Sequence, residues 1–279
     1  MQWAEGGLCK LDWFPLSFEK FVTQMALPAW VTGVVTNIID ETHNTKRFFF
    51  EIPSMERFDF EPGQFVTLDL PIHEQKNKRW RSYSIASAPN GTNTFELIIV
   101  LNEAGTGTPW LWQHVKVGTE LTLRGPLGKF TLPAVLDKPL YLICTGTGIA
   151  PFRSMVQHLH RTGKAHPPIY LIFGCRKFND TLYGPELREL QDTMPGFKYL
   201  PTYSREPADN PLLQRTGYVH HVYEELLRAQ QQQHLAAGGT GLPPAHFFLC
   251  GWKNMIDEAR QRLTAMGYDK KDIHFELYG

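Results

Sequence analysis

Cysteine is scarce. Four occur in 279 residues, at positions 9, 144, 175 and 250. They are too few and too scattered for a disulfide scaffold. No C-x-x-C run or plant-type C-x₄-C-x-x-C spacing occurs, so neither a zinc ribbon nor an iron–sulfur cluster is encoded locally. A reduced, cytoplasmic setting is expected. Long apolar runs are missing too. No stretch approaches 18 consecutive apolar residues, so no transmembrane segment is expected. The opening Met1-Gln2-Trp3-Ala4-Glu5 lacks the charged start and apolar run of a signal peptide. Net charge is absent: 28 basic residues balance 28 acidic ones. A chain built to coat nucleic acid generally carries a basic excess, so no nucleic-acid partner is expected. There is no internal repeat. What remains is a globular composition, 42% hydrophobic and 20% charged, long enough for roughly two domains with full cores.

The pattern changes midway. From Val31 to Arg124 short β runs alternate with turn residues: Val31–Ile39, Arg47–Ile52, Gln64–Leu70, Arg81–Ala86, Phe95–Val100 and Glu120–Leu123. Six such strands, separated by signals such as Pro62-Gly63 and Pro89-Asn90-Gly91, predict an antiparallel barrel or sandwich with one short helix near Pro109–Val115. After Pro139 apolar strands at Leu140–Cys144, Ile169–Phe173, Phe197–Pro201, Phe247–Cys250 and Ile273–Tyr278 alternate with helical stretches. These helices run to about His160, then near Pro185–Thr193, Val219–Gln230 and Asn254–Met266. That rhythm predicts a parallel sheet covered on both faces. The boundary falls in Lys129–Lys138. The domain expectation is an extension at 1–28, a β domain at 29–133 and an α/β domain at 134–279. Gln230–Gln233 and Gly238–Pro244 are expected to interrupt the second half. Gly238-Gly239-Thr240-Gly241 follows no strand, so it is read as a loop and not as a phosphate cradle.

Several short segments carry chemistry. In Arg81-Ser82-Tyr83-Ser84 an Arg, an aromatic ring and two hydroxyls share one strand. Alone, this is an ordinary strand with Tyr83 half-buried and Arg81 solvated. The same residues suit a flavin: Arg pairs bidentately with a diphosphate, Tyr stacks on a planar ring, and Ser donates to a ring nitrogen. Arg81 and Tyr83 lie on one face, and Ser84 reaches the ring only if the strand bends. Gly105-Thr106-Gly107-Thr108-Pro109 is either a flexible hairpin loop or a set of backbone N–H groups at a helix start that approach a phosphate. Leu140–Thr145 runs into Gly146-Thr147-Gly148 and then Pro151, the strand–turn–helix context in which a diphosphate meets a helix N-terminus. Pro151 stands where the G-x-G-x-x-G fingerprint has its third glycine. Ser204-Arg205-Glu206 follows the third parallel strand, where a hydroxyl and an Arg can clamp a 2′-phosphate or simply face solvent. Arg176, Lys177 and Arg215 can add positive charge there. Cys250-Gly251 ends the next strand, where Cys250 is by itself a small buried hydrophobe.

Taken in order, R-S-Y-S at 81–84, G-T-G-I-A-P-F-R-S at 146–154, S-R-E at 204–206, C-G at 250–251 and E-L-Y at 276–278 resemble the ferredoxin–NADP⁺ reductase family. The resemblance runs from about Ala29 onward. It implies an N-terminal antiparallel Greek-key β-barrel that binds FAD and a C-terminal parallel-sheet α/β domain that binds NADP(H). By that resemblance Arg81 would hold the flavin diphosphate, Tyr83 would stack on the ring system, and Ser84 would hydrogen-bond near its N5. Gly107 and Thr108 would make a second diphosphate contact. Thr145, Gly146, Thr147, Gly148 and Pro151 would cradle the nicotinamide nucleotide, with Gly251 beside them, and Ser204 and Arg205 would read the 2′-phosphate. Cys250 and Glu276 match positions flanking nicotinamide and flavin, and Tyr278 matches an aromatic that covers the flavin. Here Gly279 follows that aromatic, a departure from plant-type members.

The implied activity is hydride exchange between NADP(H) and FAD, with single electrons passed to or from a separate carrier, ferredoxin or flavodoxin. Lys76, Lys78, Arg79 and Arg81, with Lys129, would offer such an acidic carrier a basic edge. Two alternatives stand beside this. One is an NAD(P)H-dependent reductase component of an oxygenase or other electron-transfer complex. The other is a flavin- or nucleotide-binding subunit without turnover.

Overall fold

The computed structural model describes residues 27–206 and 215–278. The expected extension at 1–28, apart from its last two residues, lies outside them, as do Cys9 and Gly279.

The first half is built from β1 (Val31–Thr42), β2 (Thr45–Glu51), β3 (Phe65–Asp69), β4 (Trp80–Ser84), β5 (Thr94–Val100), α1 (Gly107–His114) and β6 (Glu120–Leu127). The strands pair antiparallel in the order β4-β3-β6-β1-β2-β5. β6 returns between β1 and β3, a Greek-key order. A bridge between Ile85 and Leu97 joins the two end strands and closes the sheet into a barrel. Period-two patterning drives this: Phe48 and Phe50, Val66 and Leu68, Leu97 and Ile99, and Leu121 and Leu123 all point into one core. Leu111 of α1 plugs one end of that core. Phe50 and Phe95 stack with ring centroids 5.1 Å apart.

Residues 128–139 lead to the second half. It comprises β7 (Leu140–Thr145), α2 (Ala150–Thr162), β8 (Ile169–Cys175), α3 (Gly184–Thr193), β9 (Phe197–Tyr203), β10 (Arg215–Thr216), α4 (Val219–Ala236), β11 (His246–Trp252), α5 (Lys253–Ala265) and β12 (Ile273–Tyr278). All six strands are parallel, in the order β10-β9-β8-β7-β11-β12. α2 and α3 cover one face, and α4 and α5 the other. Ala86, Ile98 and Phe130 of the first half join the α2–α3 core, so the barrel packs on that face.

The sheet runs outward from β7 in one direction to β10 and in the other to β12. The order therefore reverses between β7 and β11. In open parallel sheets a crevice forms at the carboxyl ends of the strands at such a reversal, and ligands bind there.

Two details differ from the sequence reading. Gln230–Gln233 does not interrupt the second half: these residues are helical and carry α4 on to Ala236. Gln is a good helix former, and Gln230 and Gln231 bond Tyr170 and the carbonyl of Gly241. The two-residue β10 had no sequence signal. The glycine-rich segment after α4 is a loop, as expected.

Candidate active site

At the reversal point β7 ends at Thr145 and one tight turn, Gly146–Ile149, leads into α2. Pro151 is buried in the first turn of α2, where its missing N–H removes no helical bond. No side chain caps this helix start, and the Ala150 N–H bonds the Thr147 carbonyl within the turn that precedes it. Three glycines let the strand ends interlock. Gly146 has a φ of +54°. A Cβ on Gly148 would fall 2.4 Å from the Cys250 carbonyl oxygen. Gly251 has a φ of +135°, and a Cβ there would fall 2.5 Å from Thr145 Oγ1. The backbones of β7 and β11 approach this closely only because side chains are missing. Thr145 Oγ1 accepts the Trp252 backbone N–H at 3.4 Å, and Thr147 is half-buried in the same turn.

The seam between the halves brings four expected residues together. Ser84, the last residue of β4, donates from Oγ to Glu276 Oε2 at 2.8 Å. At Ile85 the chain passes from β3 to β5, its N–H bonding the Gln64 carbonyl and its backbone bridging to Leu97. Burial raises the Glu276 carboxyl above its ordinary range, and the Ser84 hydrogen bond opposes this. Cys250 sits opposite Glu276 in the β11–β12 ladder and is fully buried. Burial and the neighbouring Glu276 push its thiol far up, so it is a neutral, compact surface and not a thiolate. The Tyr278 hydroxyl is buried against Ser84 and Cys250 and makes no hydrogen bond of ordinary geometry. Leaving such a group unpaired costs about 1–3 kcal/mol, and the edge of a flavin or nicotinamide carries acceptors that would satisfy it.

On the other face of β4, Tyr83 packs against the rim of the barrel core. Burial pushes its hydroxyl up to about 12, opposed by the charge of Arg81. The Arg81 guanidinium donates to the carbonyls of Lys78 and Trp80 and to Thr106 Oγ1, at 3.0, 2.8 and 3.2 Å. A Cβ on Gly107 would come within 3.1 Å of Arg81 Nε, so the glycine makes room for the guanidinium at the start of α1. The Thr108 hydroxyl is occupied with the backbone of Asn102, which leaves main-chain N–H groups as what this turn offers a ligand. A diphosphate fits this donor set: one guanidinium, one helix start and no carboxylate among these partners.

Ser204 and Arg205 lie at the carboxyl end of β9. Their N–H groups bond the carbonyls of Cys175 and Arg176, both at 3.0 Å. Arg205, Arg176 and Lys177 are all exposed at this edge. Ser204 Oγ reaches back to the Cys175 carbonyl at 3.4 Å. Arg215 is ion-paired with Glu225 at 2.7 Å. The intervening residues 207–214 lie outside the described ones.

Sequence reasoning missed two features. Trp252, 61% exposed at the end of β11, stands beside the Gly146 turn. A large aromatic directly after Cys250-Gly251 was its only signal. The second is a buried charge network across the seam. Glu96 accepts from Arg47 Nε at 2.7 Å, from Arg153 at 3.0 Å and from the Tyr183 hydroxyl at 2.7 Å. Arg153 sits inside a quoted motif, but nothing in the motif gave it a task. Among the described residues no cluster of His, Cys, Asp and Glu is suited to a metal, and no helix is long and apolar enough to cross a membrane.

Comparison with known proteins agrees with this geometry. Residues 32–132 match the oxidoreductase FAD-binding domain family and residues 142–261 the oxidoreductase NAD-binding domain family. The chain is 35% identical over 230 residues to ferredoxin–NADP reductase B of Sorangium cellulosum, covering 82% of this chain and 89% of that one. It is 30% identical over 222 residues to the propane 2-monooxygenase reductase component of Mycolicibacterium goodii, covering 80% of this chain but only 60% of that one. The fold superposes on a ferredoxin NADP⁺ reductase from Neisseria gonorrhoeae, solved with bound FAD and NADP. The TM-score is 0.70 and the identity 23%, over 89% of this chain and 98% of that one. With its FAD-binding barrel, its NAD-binding parallel sheet and the Sorangium relative, this chain belongs to the ferredoxin–NADP⁺ reductase family of flavin-dependent oxidoreductases.

Proposed function

We propose that this enzyme exchanges hydride between NADPH and FAD and passes single electrons to or from a separate acidic carrier of the ferredoxin or flavodoxin type. The observation that carries this is the Ser84–Glu276 hydrogen bond, with Cys250 and Tyr278 against it. It joins the flavin strand to the end of the dinucleotide sheet in one small, water-poor site.

FAD, when bound, supplies the conversion between two-electron and one-electron chemistry. The protein's part is placement and proton control. Arg81 and the start of α1 hold the diphosphate, and Tyr83 packs a flat ring against the barrel. The Gly146–Gly148 turn and the start of α2 take the nicotinamide nucleotide's diphosphate. Ser84 and Glu276 hold and move a proton at the seam: a carboxyl raised by burial is ready to carry one, and the Ser84 hydroxyl is its contact. Cys250 and Tyr278 exclude water and shape the wall. Arg205, with Arg176, reads the 2′-phosphate. Lys76, Lys78 and Lys129 are exposed beside the flavin strand and offer an acidic carrier a basic edge, whereas Arg79 is paired with Asp69 at 2.7 Å. A reducing compartment, the cytoplasm, is consistent with the free thiols of Cys144, Cys175 and Cys250.

Purified protein reconstituted with FAD should show a flavin spectrum that NADPH bleaches anaerobically. Protein that takes up no FAD, or whose flavin neither NADPH nor NADH reduces, would overturn the reading. A second reading, an NADH-dependent reductase component of an oxygenase, is favoured by one observation. The Ser204 hydroxyl is engaged with the Cys175 carbonyl and so is not free to donate to a 2′-phosphate. Turnover with NADH at least equal to that with NADPH would favour it.

A further inference from the structure

The seam network holds more charge than packing requires. The Arg153 guanidinium is buried and every nitrogen of it is used. Nη1 donates to the Ala86 carbonyl at 2.9 Å and to Glu96 at 3.0 Å, while Nε and Nη2 hold Glu186 at 2.9 and 2.8 Å. Its Cζ lies over the Tyr183 ring, 4.1 Å from the centroid. Tyr183 itself has a φ of +54°, held by its N–H to Glu41 at 2.6 Å and its hydroxyl to Glu96. A non-glycine residue in this region stays there only when its surroundings fix it.

The position of Arg153 matters more than its charge. It lies in the first turns of α2, directly after the Gly146–Ile149 turn. Its neighbours grip the same segment after β4: Ser154 Oγ donates to the Ser87 carbonyl at 2.7 Å, and Gln157 accepts the Ala88 N–H at 3.3 Å. Three successive residues, Ala86, Ser87 and Ala88, are thus held by one face of α2. They begin two residues after Ser84. A short, tightly packed path therefore runs from the dinucleotide turn through α2 to the residues that follow Ser84, beside the one through Cys250 and Glu276.

Stability does not demand this arrangement. Replacing a buried ion pair with apolar groups of similar size is often neutral or stabilising, and the best-attested use of such pairs is to fix register. Resting on the hydride-transfer reading above, we propose that Arg153 is a positioning residue: its Nε/Nη2 fork is anchored on Glu186 while Nη1 bridges the Ala86 carbonyl and Glu96, and this arrangement sets the spacing between the Gly146–Gly148 turn and Ser84, and so between hydride donor and acceptor.

The test uses the FAD-loaded protein and two variants. Arg153→Met leaves Glu96 satisfied by Arg47 and Tyr183. Arg153→Lys keeps the charge but not the fork. Both should bind FAD and NADP⁺ within about threefold of wild type, because neither removes a proposed ligand contact. The limiting rate of flavin reduction at saturating NADPH should fall roughly 10–100-fold in both, the scale of an ångström-sized misplacement. A second readout needs no turnover. NADP⁺ should slow amide hydrogen exchange at residues 85–88 in wild type and fail to do so in either variant. Wild-type rates in both variants, full rescue by Lys, or a loss of rate matched by a loss of FAD would overturn the proposal. If Arg153→Met does not fold, Arg153→Lys decides on the same readouts. A wild-type flavin that no nicotinamide reduces would sink the functional reading instead, and the exchange experiment would still judge the coupling.

Discussion

Ser84 and Glu276 are 192 residues apart in sequence and share a 2.8 Å hydrogen bond. One ends β4 of the barrel, and the other lies in β12, the edge strand of the parallel sheet. Neither half holds this hydrogen-bonded pair alone. The pair exists because the barrel docks on the α2–α3 face and brings the end of β4 to the end of β12.

Replacing Ser84 with Ala should separate binding from chemistry. Arg81, Tyr83 and the α1 start are untouched, so FAD stays bound. Flavin reduction at saturating NADPH should slow about 10–100-fold, within the range for loss of a proton-transfer contact. Stopped-flow bleaching of the flavin measures this, and an unchanged rate would remove Ser84 from the mechanism.

Glu276→Gln should change a pH profile. Burial holds the Glu276 carboxyl above its ordinary value of 4.5. The wild-type rate of flavin reduction should therefore show a group titrating above that value. In the Gln variant this inflection should vanish, since an amide does not ionise in this range. A profile identical in both proteins would assign the proton to another group.

Gly251→Ala combines strain with collision. Its φ of +135° disfavours any side chain, and the new Cβ would meet Thr145 Oγ1 at 2.5 Å. The variant should lose about 1–3 kcal/mol of stability and push the β7 and β11 ends apart. Thermal melting should show the first effect. NADP⁺ titration, followed by flavin difference spectra, should show weakened binding at the crevice.

Arg205→Ala should act on one nicotinamide cofactor only. A charge-assisted contact to a 2′-phosphate is worth roughly 1.5–3 kcal/mol, or about 10–150-fold in kcat/KM. The loss should appear with NADPH and not with NADH, which has no such group. Equal losses with both would show that Arg205 supports the fold of the β9 end instead.

Acid should loosen the seam. Burial alone would raise Glu96, but Arg47 and Arg153 outweigh it and hold its carboxyl below the ordinary 4.5. The unfolded chain therefore binds this proton at higher pH than the folded chain does. The contribution is complete above about pH 4.5 and is lost as pH falls through the lower folded value. Wild type should lose stability steeply in that window. Glu96→Gln, already deprived of the charge, should be less stable at neutral pH and show a shallower acid slope, as measured by urea midpoints across pH.

The strands were legible because their residues alternate or cluster in patterns that burial enforces: Phe48, Phe50 and Ile52 in the barrel, and Leu140 through Cys144 in the sheet. The strand–turn–helix context of the candidate site was legible where local chemistry and spacing coincide, as in Gly146-Thr147-Gly148 before Pro151. The α4 extension was misread because a run of Gln looked like a break, although each residue favours helix. The seam network was invisible for a different reason. Arg47, Glu96, Arg153, Tyr183 and Glu186 have no common spacing, and the docking of two separate cores joins the Arg47–Glu96 pair of the barrel to Arg153, Tyr183 and Glu186 of the second half.

The Ser84–Glu276 contact also has a consequence in time. A ribosome adds roughly 5–20 residues per second, so Glu276 is made roughly 10–40 s after Ser84. For that interval the nascent barrel, every strand of which precedes residue 128, presents its flavin strand with no carboxylate opposite. On the proposed assignment of Ser84 and Glu276, the proton contact is complete only once β12 has been made.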